Sequence, residues 1–242
     1  GGDGGTCTGG SGNRYGGGGA GGGRIAVHFT NRSYTGSFSV AAGSGGFGNT
    51  ASGSSGEPGT VVLVQRVDND LFVPSLFQLE GFVPYNFRNV VFEAGSITIV
   101  TNESNGIVAV NVTINESALV NASGRGFAAD VGPGVGTSAL DGGAGGGFGG
   151  VGGVGGGTSG SGGVRYNSSL FPELVGSGGR SGANGVVNTA AGAGGGKIVW
   201  IVNDTLLVLG TVSAGGGVAT SSGSNAGHCG GGGSGGAVYI NT

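Results

Sequence analysis

The sequence has 242 residues, 66 of them Gly, with 36% hydrophobic and only 9% charged residues and a formal net charge of -3. Irregular GG and GGG clusters beside only 5 Pro exclude a collagen repeat, and a mean hydropathy of +0.19 with apolar blocks argues against wholesale disorder. The eight Arg, scattered singly from Arg14 to Arg180, form no basic stripe for nucleic acid, and no apolar run approaches the roughly 18 residues of a membrane helix.

From the N-terminus, a Gly tract over 16–23 leads into Ile25-Ala26-Val27-His28-Phe29, which predicts a strand, and 36–43 predicts a second. The stretch 71–92 carries Phe72, Phe77, Phe82, Phe87 and Phe92 with Pro74 and Pro84. The prolines argue against a central strand, leaving a cap over the core, a contact surface for a neighbour, or ordinary core packing. Ile97-Thr98-Ile99-Val100 predicts a strand, and Asn105-Gly106 is a candidate hairpin turn after it. Over 107–115 the chain alternates, with Val108, Val110, Val112 and Ile114 on one face and Ala109, Asn111, Thr113 and Asn115 on the other. Strands are expected again at 198–202, 210–215 and 237–240, and helix has no support because Gly costs about 1 kcal/mol per interior position.

The Gly tract 132–163 poses an energetic choice, because ordering backbone costs about 1–2 kcal/mol per residue and Gly stands at the expensive end. Either it is mobile, or its chains pack as extended left-handed polyglycine strands bonded to one another. The run 146–154, with Phe148, Val151 and Val154 at period three, favours order.

Asn-X-Ser/Thr occurs at Asn31, Asn102, Asn111, Asn115, Asn121, Asn167 and Asn203, which predicts N-glycosylation and an extracellular or cell-surface location. Asn31, Asn102 and Asn203 each follow a predicted strand, and Asn111 and Asn115 are expected to face solvent together. Cys7 and Cys229 are the only thiols and are expected to form a disulfide, within the chain or between copies. No cofactor or metal is expected: GxxxxGK[ST] is absent, Asp does not recur in the Gly turns, and His228 beside Cys229 has no second ligand pair. Glu57, Glu80, Glu93 and Glu173 are scattered, and His28 and His228 are the only histidines, so no catalytic constellation is expected.

A Gly tract followed by a short strand occurs three times, entering Ile25, Ile198 and Val238, and twice a second strand follows. These blocks, GGGAGGGRIAV, TGSFSVAAGSGG and GTVSAGGG, resemble a family of secreted, glycine-rich tandem-repeat surface proteins. That resemblance implies a β-solenoid and no defined activity or functional residue. The expected fold is all-β, a glycine-rich β-helix or solenoid with polyglycine II-like tracts, with a β-sandwich bearing long Gly-rich loops as the alternative. One elongated unit spans 1–242, with Gly-rich inserts near 1–23, 41–59, 131–163 and 213–237. Opening on Gly1 without an apolar leader, it reads as a segment of a longer repetitive protein or a filament protomer. The expected function is structural: a subunit of an extracellular glycosylated filament, sheath or matrix, associating end to end with copies of itself, not an enzyme. The alternatives are a cell-surface adhesin or carbohydrate-binding module and, third, a degenerate β-helix enzyme.

Overall fold

The computed structural model describes residues 2–6, 16–20, 23–29, 39–57, 60–65, 68–79, 85–100, 106–137, 142–156, 161–183, 188–219 and 229–242. Among them the regular elements are all strands: β1 (Arg24–Phe29), β2 (Thr60–Gln65), β3 (Asp70–Val73), β4 (Leu76–Leu79), β5 (Tyr85–Phe92), β6 (Ile97–Val100), β7 (Ile107–Ile114), β8 (Leu119–Asn121), β9 (Gly182–Ala183), β10 (Asn188–Thr189), β11 (Lys197–Val208), β12 (Thr211–Ser213) and β13 (Ala237–Asn241). A seven-stranded sheet has the order β1-β2-β3-β5-β7-β11-β13 and a four-stranded sheet the order β12-β8-β6-β4. Pairing is parallel throughout both, except that β2 runs antiparallel to β3.

The sequence of connections is regular. Strands β3, β5, β7 and β11 of the first sheet are each followed, after a short turn, by β4, β6, β8 and β12 of the second, and both sheets keep the same spatial order. Two of these turns share one geometry. Ser96 N donates to Glu93 O at 3.0 Å and Ala118 N to Asn115 O at 3.1 Å, with Gly95 and Ser117 in the left-handed region at φ 76 and 63. Equivalent residues therefore stack in columns, such as Val73, Phe92, Ile114 and Val208. Side chains from both sheets form one core, in which Trp200 stacks on Phe92 with ring centroids 5.7 Å apart.

Two expectations are corrected here. Within the stretch 71–92, β3 and β5 lie inside the large sheet, and Pro74 falls in the turn between β3 and β4, where no ladder donor is needed, while Phe82 and Pro84 lie outside the described residues. Phe92 and Phe77 are core residues. Nor do the strands flanking Asn105-Gly106 form a hairpin: β6 pairs with β4 and β8, while β7 pairs with β5 and β11.

The Gly tracts are ordered by one another. Gly145 N donates to Gly153 O and Gly142 N to Gly156 O, both at 2.9 Å, so the bond recurs every third residue. The chain at 176–179 is buried and bonded on several sides: Gly176 N and Gly179 N donate to Gly195 O and Gly192 O, while its carbonyls receive Phe127 N, Asp130 N and Ser234 N. A second group near the N-terminus joins 2–5, 16–20, 43–46 and 51–56 in the same three-residue rhythm. Among the described residues only Gly95, Gly124 and Gly132 have glycine-favouring φ, so where Gly is demanded at other positions the cause is crowding, not dihedral freedom. A Cβ on Gly194 would stand 1.9 Å from Gly176 O, and one on Gly233 1.9 Å from Ala193 O. Both contacts are with backbone that cannot swing aside.

Two expected outcomes follow from this packing. Gly194→Ala should lower stability by about 2 kcal/mol or more through overpacking, read as a lower urea midpoint and faster amide exchange at Gly176 and Gly195. The Thr98 hydroxyl is buried without a hydrogen-bond partner, in a column with Phe77, Val120 and Val212. Thr98→Val should therefore raise stability by about 1 kcal/mol, a gain that calorimetry would register as a higher Tm.

Candidate functional site

Where the large sheet bends, a ladder of polar side chains runs across its strands. Asn89 Nδ2 donates to Asp70 Oδ1 at 2.9 Å, Asn111 Nδ2 to Asn89 Oδ1 at 2.7 Å, and Thr205 N to Asn111 Oδ1 at 3.2 Å. The bend shows as a change of phase: Ile107 and Ala109 are buried, then Val110 is exposed, then Val112 and Ile114 are buried. In β11 the register shifts between Val202 and Thr205, so that Asn203 and Asp204 together face the single residue Val110. Asp70 is nearly fully buried, and its charge is met by Arg88, whose Nη2 and Nε donate at 3.0 and 3.2 Å while Nη1 reaches Asp68 at 2.8 Å. These bonds, from Asp70 above all, raise the Arg88 pKa further above its already high ordinary value. The sequence carries a signal for this ladder in Asn89-Val90-Val91-Phe92 and Asn111-Val112-Thr113-Ile114, a polar residue opening the same pattern twice.

The sequons are placed unequally. Asn111, expected at the surface, is half-buried with its amide in the ladder. Asn115 is half-buried in the turn before β8, and Asn121 Oδ1 accepts from Ser123 N at 2.9 Å. Asn167 is exposed at φ 68, and Asn203 is exposed at the bulge within β11, which continues to Val208 instead of ending before the sequon. Asn31, Asn102, Cys7, His28's side chain and His228 lie outside the described residues; Cys229 has an exposed, free thiol, and its carbonyl accepts from Gly143 N at 2.8 Å.

Beside β13 the loop 164–174 frames a cleft of about 330 Å3, lined by Phe148, Arg165, Tyr166, Asn167, Pro172 and Val238 among others. Tyr166 Oη donates to Val175 O at 2.5 Å and accepts from Ser177 Oγ at 2.8 Å, and its ring meets Phe148 edge-on at 5.1 Å. Burial raises the Tyr166 pKa, against a smaller opposing effect of Ser177. Lys197 is pushed the other way by burial, partly offset by Glu173, whose carbonyl its Nζ reaches at 2.6 Å. Among the described residues no three His, Cys, Asp or Glu side chains gather where they could hold a metal ion, and no helix is long and apolar enough to cross a membrane.

The two ends of the stacked sheets differ. At one end β2 and β1 continue the large sheet, and Val61, Leu63, Leu71 and Val73 are buried. At the other, β13 covers β11 only along Lys197–Ile201. The column that holds Phe92 and Ile114 at 0% exposure opens at Val208, which is 43% exposed beside Leu207 and Leu209. Interior positions thus reach solvent at one end.

No family model, no curated protein and no solved structure matches this chain. What it does must be read from its own geometry.

Removing a rung of the ladder should be costly: Asn89→Ala leaves Asp70 and Asn111 short of partners and should lower stability by about 1–3 kcal/mol in urea titration. For Tyr166 the fold favours the neutral phenol, so its contribution persists below the ordinary tyrosine pKa of about 10 and is lost as pH rises through the higher folded value. Melting temperatures measured from pH 8 upward should accordingly fall more steeply for the native chain than for Tyr166→Phe.

Proposed function

We propose that the chain is a structural subunit of an extracellular, N-glycosylated filament, sheath or matrix, which associates end to end and has no catalytic role. In this reading the paired sheets are a β-solenoid, each of β3–β4, β5–β6, β7–β8 and β11–β12 being one turn, and the Gly tracts are polyglycine II bundles beside it. The stacked columns and the three-residue hydrogen-bond rhythm support both assignments. The sandwich alternative is less well supported, because parallel strands in matched order call for a winding path rather than hairpins.

One observation carries the functional reading: the open end at Val208. An interior column ending in exposed Val208, with Leu207 and Leu209 exposed on either side of it and β13 pairing with β11 only as far as Ile201, is a surface that a parallel stack leaves unsatisfied until another layer covers it. Contact between unlike ends does not close and gives a fibre. Exposed Asn167 and Asn203 are the sequons best placed to carry glycans, with Cys7 and Cys229 available for a bridge within or between copies.

The cleft beside Tyr166 favours the second reading, a carbohydrate-binding or adhesive module, since it joins aromatic rings to Arg165 and to amide and hydroxyl groups.

The native glycoprotein should form periodic fibres in electron microscopy and lose mass on glycosidase treatment. Val208→Asp should melt within a few degrees of the native chain yet remain monomeric in sedimentation. Discrete native particles at all concentrations would sink the filament reading, and an unchanged mass after glycosidase would sink the glycoprotein reading separately.

A further inference from the structure

Two hollows lie on either side of Pro172, which lines both. The first is the cleft of about 330 Å3 beside Tyr166, with Arg165 in its wall. The second, of about 290 Å3, is lined by Phe171, Lys197 and Tyr239, on the face of β11 that alternates with buried Ile198 and Trp200. Both volumes stand near the lower end of the roughly 300–1,000 Å3 usual for small-molecule sites, the scale of a short saccharide and not of a folded partner. The loop between them is held in shape by its own bonds: Ser168 Oγ accepts from Leu170 N and Phe171 N at 3.2 and 3.1 Å, Asn167 Oδ1 accepts from Glu173 N at 3.4 Å, and Lys197 Nζ donates to Glu173 O at 2.6 Å. A surface fixed in this way spares a ligand the cost of ordering it.

Each hollow joins aromatic surface to a polar side chain that is unspent. Phe171 is 65% exposed, and its ring is inclined 50° to that of Tyr239 with centroids 5.9 Å apart. The tilted pair offers open ring surface to the C–H face of a pyranose, beside a phenol that can donate to and accept from sugar hydroxyls. Neither the Tyr239 hydroxyl nor the Arg165 guanidinium makes a hydrogen bond or ion pair among the described residues. The charged residues lining the two hollows are Arg165, Lys197 and Glu173. Lys197 is answered by the charge of Glu173, which leaves Arg165 uncompensated, with a planar fork of donors matched to a carboxylate. The chain as a whole carries a net charge of -3, so attraction for an acidic ligand is local to this wall.

We infer that the two hollows are adjoining subsites for an acidic saccharide, a sugar chain bearing uronic carboxylates, with one carboxylate on Arg165 and a neighbouring ring on Phe171 and Tyr239. The inference rests on the carbohydrate-binding reading of the cleft, names its ligand class, and does not depend on end-to-end assembly. An acidic peptide would use Arg165 but has no flat C–H face for the exposed rings, and a nucleic acid strand calls for a row of cations along its backbone where this loop has one. Exposed Asn167 lines the first hollow, so a glycan on it and a free polysaccharide compete for the same surface.

Titration calorimetry on the full chain, native and glycosidase-treated, separates these cases with three probes: an oligoglucuronate tetrasaccharide, the same oligosaccharide with its carboxyl groups reduced to alcohols, and a glutamate tetrapeptide. The uronate should bind at least about tenfold more tightly than the neutral form, the scale of a hydrogen bond to a charged group. Arg165→Gln should erase the difference between the two saccharides, Arg165→Lys should restore part of it, and Phe171→Ala should weaken both alike. All three variants should melt within a few degrees of native, since both side chains are exposed. Equal native affinity for the charged and neutral saccharides overturns the acidic assignment and leaves the carbohydrate reading standing, whereas binding of neither, before or after glycosidase treatment, overturns both. A peptide bound as tightly as the uronate overturns the saccharide class. Binding that emerges only after glycosidase treatment assigns the cleft to the chain's own glycan and overturns a free polysaccharide as its ligand.

Discussion

A hydrogen bond between two backbones that carry no β-carbon is the constraint on which the rest of this molecule depends. It fixes the identity of the residue, because the distances from would-be Cβ atoms to neighbouring carbonyls fall near 2 Å at Gly176, Gly178, Gly179, Gly192 and Gly194. The same bond recurs every third residue, as from Gly142 N and Gly145 N to Gly156 O and Gly153 O. Glycine is costly to order, so such bundles need anchorage. Here it comes from continuity: Gly196 runs straight into β11 and Gly236 into β13, and the bonds joining Gly192 N to Gly231 O and Gly195 N to Ser234 O lead directly into the Lys197–Ala237 register of the sheet.

The sheets contribute what glycine cannot. Buried apolar side chains supply the hydrophobic term, and the Asp70, Asn89 and Asn111 ladder holds neighbouring strands in one register at the bend. A slip of one residue would break every rung and leave Asp70 buried without its partners. The large sheet is closed by β1 and β2 at one end and open at Val208 at the other, and this asymmetry is what gives the proposed assembly a direction.

Much of this was legible in the sequence, for identifiable reasons. Strands β1, β11 and β13 declare themselves as β-branched runs after Gly tracts and β6, β7 and β12 as β-branched runs after a single turn Gly, and Phe148, Val151 and Val154 already display a threefold spacing. The prolines misled because Pro74 occupies a turn rather than a strand, which local propensity cannot distinguish. Asn105-Gly106 misled for a related reason: the dipeptide suits a tight turn, but whether the flanking strands then pair is decided by the other strands. Asn111 was read as surface because simple alternation was carried through the bend, where the phase reverses. The unequal ends were beyond reach, since exposure at Val208 depends on how far β13 extends along β11, a tertiary fact.

Crowding at the lattice glycines also has a genetic face. Every glycine codon begins GG, and any single-base change that alters the amino acid adds a side chain, Ala being the smallest. At Gly194 or Gly233 even that methyl meets a carbonyl at 1.9 Å, so no missense step there is conservative. The apolar columns are different, for Ile, Val and Leu interconvert by one base with modest loss. Mutation should therefore age the two halves of this molecule at different speeds, the sheets drifting while the bundles hold still.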